Sequence, residues 1–478
     1  MMATAPKGVL RHHGKEYREM KITIVGEGKV GFSLAQRLLS EGHDVTAIDQ
    51  DADVLSAAVE ELDILTVQGN GAALETLKEA NVADSDLLIA TTNADETNLL
   101  CCLTAKKLGC KQTIARVRDP QYVRQALFLK EELGLSLAVN PELAAAQEIY
   151  RVLQYPSFLK RESFDKGRVE LVELQIDKDS KLKNKKLSEI APVLGSRVLI
   201  CAAERDGEVT IPNGSFVLQE GDRITVTAAR TEMATIVKKM GLEIHKIRSV
   251  MIVGCGRIAA YLAEELQKNG VSIKLVDKKK TTCEAFAIQF PSALVICGDA
   301  LKHGFLESER VEQTDAVITL TGADEENLMI SMFCSHLGVP KTVTKIDRQE
   351  YARLFDDRGI GSVVCPKELT ANEIIRYVRA MSQSGEGSVR ALHRIVGGKA
   401  EALEFVVSTS APYTDVPLSQ LKLKPNVLIA CISRNNRVIV PKGDDKMLVG
   451  DTLIVVTTAD RALCDLKDIF EKDTAKSS

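Results

Sequence analysis

Residues Met20–Gly31 read MKITIVGEGKVG. The apolar run Ile22–Val25 has the pattern of a buried strand. It enters a glycine turn that opens onto Lys29–Ser40, a helix by periodicity, ended by Gly42. In Gly26-x-Gly28-x-x-Gly31, the first glycine permits the tight turn and the second lets a pyrophosphate approach the backbone. The third lets helix and strand pack closely. The helix start adds free N–H groups and a partial positive charge. Asp49 closes the next strand, 18 residues after Gly31, where a carboxylate can bind ribose hydroxyls. The combination points to a dinucleotide or an adenine nucleotide; the alternative is a tight turn with no ligand. An aspartate there repels the extra phosphate of NADP, which favours NAD or adenosine phosphates.

The device returns at Arg248, in RSVMIVGCGRIA, with Gly254 and Gly256 in the turn, Ala259 in the third place and Asp277 as the acid. Gly26 and Gly254 are 228 residues apart, as are Asp49 and Asp277. Asp95 and Asp324, Asn98 and Asn327, Arg116 and Lys345, and Tyr122 and Tyr351 are each 229 apart. The spacing persists to Pro212 and Pro441, and to Gly221-Asp222 and Gly450-Asp451, so one insertion accounts for the drift. The whole unit is duplicated.

Each unit splits in two. In the first, KITIVG, DVTAID, ILTVQG, DLLIATT, QTIARV and LSLAVN read as strands. Helices are expected between them over Ala52–Leu62, Ala72–Ala80, Glu96–Leu108 and Pro120–Leu133. Unit two repeats this with SVMIVG, SIKLVD, ALVICG, AVITLT, KTVTKI and GSVVCP. Apolar strands alternating with helices predict a parallel sheet covered on both faces. A helix follows each sheet, at Pro141–Gln154 and Pro366–Met381, opening with proline. The remainders, RVELVELQI, SRVLICAAERDGEVTIP and DRITVTAA with a short helix at 231–240, and then EALEFVVS, NVLIACISRNNRVIVP and DTLIVVTT, read as strands joined by polar turns. The fold class is therefore α/β: two tandem Rossmann-like parallel-sheet domains, each followed by a small α+β domain. The expected bounds are 20–158, 159–244, 245–385 and 389–473, with QSGEGS (383–388) as a linker.

A chain of 478 residues exceeds one ordinary core, in keeping with several domains. Hydrophobic residues at 45% and charged residues at 27% fit a soluble globular protein. The net charge of -4 gives no global positive field, so nucleic acid is not an expected partner. Aromatics are 4% and tryptophan is absent, which weakens readings that need stacking platforms. The 11 cysteines form no CxxC pair and are odd in number, which argues against zinc or a disulfide framework and for reduced thiols. No uncharged apolar run reaches the ~18 residues that span a bilayer. Residues 1–19 show no signal peptide. They read as a disordered tail, or as a start assigned too early with Met20 the natural one.

TTNADETN (91–98) lies at the carboxyl end of the fourth strand, the crevice side of such a sheet, and TGADEEN (321–327) is its counterpart. These residues can rim a nucleotide, or Asp95 and Asn98 can cap a helix. Arg116 and Arg118 end the fifth strand and can reach phosphate oxygens, with surface ion pairing as the alternative. Lys345 and Asp347 stand in their places in unit two, so its phosphate site should differ. Lys278, Lys279 and Lys280 can meet phosphate or form a solvated basic turn. A hydride-transfer enzyme needs an acid or base near the nicotinamide. His43 and Lys29 belong to helix surfaces, His303 has no counterpart in unit one, and no large substrate domain exists. Redox catalysis lacks its residues, and no enzyme is expected.

The order VGEGKVG, Asp49, VQGNGA, TTNADETN and IARVRDPQY, then a small α+β domain and the whole set again, resembles the TrkA family of Trk potassium-uptake regulators, whose modules are called RCK or KTN domains. The resemblance covers Met20 to about Glu471. It implies a cytosolic protein, peripheral on the cytoplasmic face of the membrane, under a TrkH/TrkG-type potassium transporter. It further implies a tetramer that forms a ring of eight N-terminal domains, with NAD(H) and ATP or ADP as ligands. Carried over, Gly26, Gly28 and Gly31 face the phosphates, Asp49 the ribose, Thr91 and Asp95 line the site, and Arg116 and Arg118 lie near the phosphates. The full candidate set adds Glu27, Lys29, Val30, Asn70, Thr92 and Glu96, and in the second half Gly254, Gly256, Arg257, Ile258, Asp277 and Asp299. Glu27 departs from the family pattern and opposes phosphate unless it points to solvent. The small domains are assigned to dimerisation, with an ion or metabolite as a second role, and Gly221-Asp222 and Gly450-Asp451 to turns. The rival readings are an NAD-dependent oxidoreductase and an RCK-type regulator of another transporter.

Overall fold

The computed structural model describes residues 9–12, 15–128, 132–154, 158, 160–178, 180–190, 198–240, 246–348, 351, 361–382, 389–458, 463 and 465–471. The expected linker at 383–388 lies outside them. The chain divides into two bodies, Met1–Gln147 with Cys365–Gln383, and Glu148–Val364 with Ser384–Ser478.

The first body holds a six-stranded sheet in the order Leu65–Gln68, Asp44–Asp49, Lys21–Val25, Leu87–Ala90, Gln112–Arg116, Leu137–Val139. Every pairing is parallel. The strand order reverses between Lys21–Val25 and Leu87–Ala90, which opens a crevice at their carboxyl ends. Side-chain alternation divides the apolar residues between two cores. Ile22, Ile24, Leu87 and Ile89 meet Leu34 and Leu38 of the helix Lys29–Ser40. Val25, Ile48, Leu88 and Ala90 meet Leu77, Cys101, Cys102 and Ala105 on the other face.

The first core also takes a helix from the second repeat. Pro366–Ser382 buries Ala371, Ile374, Ile375 and Val378 there. The helix, grouped by sequence with the domain 245–385 as its crossover helix, thus packs on the first sheet. An i, i+3, i+4, i+7 stripe must find an apolar surface, and Ile22, Ile114 and Val139 of the first sheet provide it. Arg37 donates to Asn372 Oδ1 at 2.8 Å, Arg379 pairs with Glu41 at 2.6 Å, and the Tyr377 hydroxyl donates to Gln112 Oε1 at 3.1 Å. Two local differences remain. The helix expected over Pro120–Leu133 is described over Pro120–Phe128. In the expected disordered tail, Val9–His12 pairs antiparallel with Lys15–Arg18, a ribbon that satisfies its backbone groups locally.

The second body contains the matching sheet, Leu294–Cys297, Ser272–Asp277, Ser249–Val253, Ala316–Thr319, Lys341–Lys345, Ser362–Val364, again all parallel. Lys341 is buried and donates to the Phe158 carbonyl at 3.1 Å; burial lowers its ammonium to about 8.

Two five-stranded antiparallel sheets complete this body. One runs Glu208–Thr210, Leu199–Arg205, Arg223–Ala229, Val169–Gln175, Lys160–Phe164. The other runs Val389–Ile395, Ala400–Val406, Thr452–Thr458, Val427–Arg434, Arg437–Ile439. The edge strands Lys160–Phe164 and Val389–Ile395 were not expected from the sequence. The two sheets share a core in which Phe164, Leu171, Cys201 and Ala202 meet Ile395, Ala402, Cys431 and Val456. The pairing is reciprocal: Glu404 Oε2 accepts from the Asp165 N–H at 2.8 Å, and Glu173 Oε1 accepts from the Val396 N–H at 2.6 Å. The partners Glu173 and Glu404, and Asp165 and Val396, are each 231 residues apart, so one chain builds an isologous contact from its two repeats.

Gly221-Asp222 and Gly450-Asp451 are more than turns. Asp222 is 1% exposed and takes both Nε and Nη2 of Arg205 at 2.7 Å. Asp451 holds Arg434 at 2.8 and 2.7 Å. Each aspartate also accepts a backbone N–H, from Gln219 or Leu448, at 2.7 Å.

Candidate nucleotide-binding site

The three glycines of the first turn answer to different constraints. Gly26 has φ +93°, and a Cβ on it would sit 2.8 Å from the Thr92 nitrogen. A Cβ on Gly31 would lie 2.1 Å from the Gly26 oxygen. Both are glycine because the protein's own backbone requires it. Gly28 has φ -63°, and a Cβ there would meet nothing within 4 Å. Neither conformation nor packing explains that residue. Gly28 also opens the helix Lys29–Ser40 with no side-chain cap and no acid in the first turn. The helix start thus has no side-chain partner for its free N–H groups within its own first turn.

Asp49 is half-buried beside the turn. Its Oδ2 accepts from the Glu27 N–H at 2.7 Å and its Oδ1 from the Asp51 N–H at 3.0 Å. Glu27 does not point to solvent. Its side chain is buried, 2% exposed, with both carboxylate oxygens lacking a hydrogen-bond partner. Burial, and then the charge of Asp49, push its carboxyl up to about 7. A protonated Glu27 is compatible with a phosphate on the turn; an ionised one opposes it.

The fourth-strand residues form a lock. The Thr91 hydroxyl donates to the Gly26 carbonyl at 2.8 Å and is buried behind the turn. Asn98 Oδ1 accepts from the Thr92 N–H at 2.9 Å and the Thr92 hydroxyl at 2.7 Å, while Nδ2 donates to the Arg116 carbonyl at 2.9 Å. Asp95 Oδ2 accepts the N–H groups of Arg118 and Asp119 at 2.9 and 2.8 Å. Neither caps the helix Asp95–Leu108, whose N-cap is Ala94 with no side-chain bond. Their work is to tie the ends of two strands together. Arg116 donates to the Thr92 carbonyl at 2.6 Å, and Arg118 to the Asn93 carbonyl at 2.7 Å with Glu142 at 3.7 Å. Both guanidinium groups therefore stand at the loop that rims the crevice. Glu96 is exposed and held low by a backbone hydrogen bond and Tyr122. Asn70 is exposed and accepts the Ala72 N–H at 3.0 Å. Lys29 is exposed and Val30 is in the core.

The second turn keeps the frame. Gly254 has φ +99°, and a Cβ would strike Leu320 backbone at 2.7 Å; on Gly256 it would again meet nothing within 4 Å. Asp277 accepts the Cys255 N–H at 2.9 Å and the Lys279 N–H at 2.8 Å. Asn327 and Asp324 repeat the lock, to Thr321 N–H at 2.8 Å and to Asp347 and Arg348 N–H at 3.0 Å. Lys345 donates to the Thr321 carbonyl at 3.3 Å and pairs with Asp347 at 3.4 Å. Arg257 is exposed, Ile258 buried, and Asp299 is exposed and accepts the Leu301 N–H at 3.0 Å. Of the lysine run, Lys278 pairs with Glu326 at 3.1 Å.

His43, expected on a helix surface, is buried, and burial lowers its pKa. Among the described residues no group of three or more His, Cys, Asp or Glu side chains is arranged to hold a metal, and no helix is long and apolar enough to cross a membrane.

Comparison with known proteins agrees with this architecture. The TrkA-N domain matches residues 22–141 and 250–366, and the TrkA-C domain 171–241 and 402–467. The chain is 33% identical over 436 residues to a Trk system potassium uptake protein TrkA homolog of Archaeoglobus fulgidus, across 91% of this chain and 97% of the relative. It is 30% identical over 461 residues to TrkA of Vibrio alginolyticus, across 95% and 99%. Among solved structures, the GsuK channel superposes with a TM-score of 0.61 at 19% identity, over 95% of this chain and 79% of that one. The GsuK channel bound to NAD gives 0.60 at 19%, with the same coverage. At that identity the likeness speaks for the fold. With two TrkA-N and two TrkA-C domains, and relatives aligned over almost its whole length, the chain belongs to the TrkA family of Trk system potassium uptake proteins.

Proposed function

We propose that the chain is a nucleotide-sensing regulatory subunit of a potassium uptake system, taking NAD(H) and ATP or ADP on its glycine turns. The observation that carries this reading is Gly28 with its counterpart Gly256. Each is a glycine that the protein's own packing does not demand, at an uncapped helix start beside a carboxylate. The turn suits a pyrophosphate, and Asp49 or Asp277 suits a ribose. The fold shared with a channel solved bound to NAD supports the reading.

The subunit sits on the cytoplasmic face of the membrane beneath a TrkH/TrkG-type transporter. Four chains supply the eight N-terminal domains of a ring. A ligand moves such a ring only through unequal affinity for its two states. Driving a gate from mostly shut to mostly open takes about 5.5 kcal/mol, which several coupled sites supply more readily than one. Arg118, at the rim of the first site, is placed to tell ATP from ADP.

The test is calorimetry of the purified chain with NADH, NADPH, ATP and ADP, without an electron acceptor. Binding of NADH and ATP without turnover is expected. Binding of NADPH alone, or steady oxidation of NADH with a common acceptor, overturns the reading in favour of an oxidoreductase. Co-purification with an unrelated membrane protein would reassign the transporter.

A further inference from the structure

The two turns differ in one respect that nucleotide binding does not explain. Around Asp277 stand three thiols, Cys255, Cys283 and Cys297, where the first half has Glu27, Leu55 and Gln68. Cys297 ends its strand directly opposite Asp277 in the parallel ladder, as Gln68 stands opposite Asp49. Cys283 lies in the first turn of the helix Lys280–Gln289, which packs on the same strands. Its thiol donates to the Asp277 carbonyl at 3.3 Å and to the carbonyl of Ile296, the residue just before Cys297, at 3.8 Å. Cys297 is exposed and Cys283 buried. The pair is therefore an accessible thiol beside a sheltered one, both free.

We infer that Cys283 and Cys297 are a redox-active dithiol that a small-molecule disulfide oxidises to an intrachain disulfide. The exposed Cys297, as thiolate, attacks one sulfur of the reagent and expels its first thiol, leaving a mixed disulfide at Cys297. Cys283 then gives up its proton and attacks the Cys297 sulfur, expelling the second thiol. Two electrons pass from the pair to the reagent: one disulfide forms, one is reduced to two thiols, and the two cysteine protons end on the released thiols. Burial pushes the Cys283 thiol up to about 11, which makes it the resolving partner and the second step the slower one. Closure needs the two sulfurs, held at the same strand end, to meet at a bond of about 2.05 Å. Most of the other described cysteines are buried, and only Cys365 among them is half-buried. Burial raises Cys101, Cys255, Cys334 and Cys431 to about 12, and Cys102 is raised well above the ordinary thiol value.

The inference is independent of any nucleotide. The reduced full-length chain is treated with bis(2-hydroxyethyl) disulfide, blocked with an alkylating agent under denaturing conditions and digested with trypsin without reduction. Both cysteines fall in one peptide, Thr281–Lys302. The expected product is that peptide two hydrogens lighter, with both alkylation sites lost, and both restored by dithiothreitol. Cys283→Ser should stop the reaction at the mixed adduct on Cys297. The inference fails if the unsubstituted chain keeps a stable adduct at Cys297 with Cys283 alkylated, alkylates both thiols, or cross-links two chains through Cys297.

Discussion

The first and second glycine turns share a backbone and differ in what lies beneath it. Both turn at a left-handed glycine, both leave the second glycine unfilled, and both fasten the acid to the turn by one backbone N–H. Under the first lies Glu27, a buried carboxyl with no hydrogen-bond partner; under the second lies Cys255, a buried thiol. The rims diverge as well, with Arg116 and Arg118 holding the loop beside one crevice and Lys345 and Asp347 in their places at the other. Residues that shape the backbone are held in common. Those that set charge under a bound phosphate are not, and this is the arrangement expected if the two halves read different signals.

That comparison breaks first at Gly26. Gly26→Ala adds a Cβ against the Thr92 backbone at a left-handed φ, and should cost about 3 kcal/mol or more of stability in denaturant melts. Gly254→Ala should cost as much in its own half. A loss under 1 kcal/mol at either would mean that the turn is softer than it looks.

Glu27 comes next. Its folded pKa, about 7, lies above the ordinary 4.5, so its contribution to stability is fully present below pH 4.5 and is lost as pH rises through 7. The loss amounts to about 3 kcal/mol. Glu27→Gln should recover most of it at pH 8 and flatten the stability profile between pH 4.5 and 7, whereas Cys255→Ser should leave that profile unchanged. The same substitution should strengthen nucleotide binding at pH 8. A profile that keeps its slope in Glu27→Gln would place the titration elsewhere.

A smaller effect separates packing from ligand. Gly28→Ala should change stability by no more than about 0.5 kcal/mol while lowering nucleotide affinity at least tenfold, about 1.4 kcal/mol, in calorimetry. Equal binding by both proteins would make the open glycine an accident. Smallest is Arg118→Ala, expected to bring the ATP and ADP affinities together by a few-fold. An unchanged ratio removes the arginine from the sensor.

The sequence made the sheets and the turns legible because their signals are local. MKITIVGEGKVG carries strand, turn and helix start within twelve residues, and its echo at Arg248 confirms the period. The destination of Pro366–Ser382 was not legible. Its stripe at Ala371, Ile374, Ile375 and Val378 says that a face must be buried but not under which of two similar sheets. The strand Lys160–Phe164 hid because Arg161 is buried against Glu170, a charge pair that looks like surface in a linear reading. Asp222 and Arg205 are 17 residues apart, so their bond is invisible until the hairpin folds. At the site, the glycines and Asp49 were readable by spacing. The inward turn of Glu27 and the approach of Cys283 to the strand end that carries Cys297 depend on how the helices settle on the sheet.

The reciprocal seating of the two small sheets has a consequence for assembly. Had each repeat been a separate polypeptide, the contacts of Asp165 with Glu404 and Val396 with Glu173 would form only as fast and as fully as chains meet in solution. Joined by one backbone, the two surfaces face each other at an effective concentration on the order of millimolar, whatever the abundance of the protein in the cell. Dilution cannot part them, and each always finds its unlike counterpart rather than its twin. A gene so fused can let its halves drift apart in chemistry without ever assembling the wrong pair.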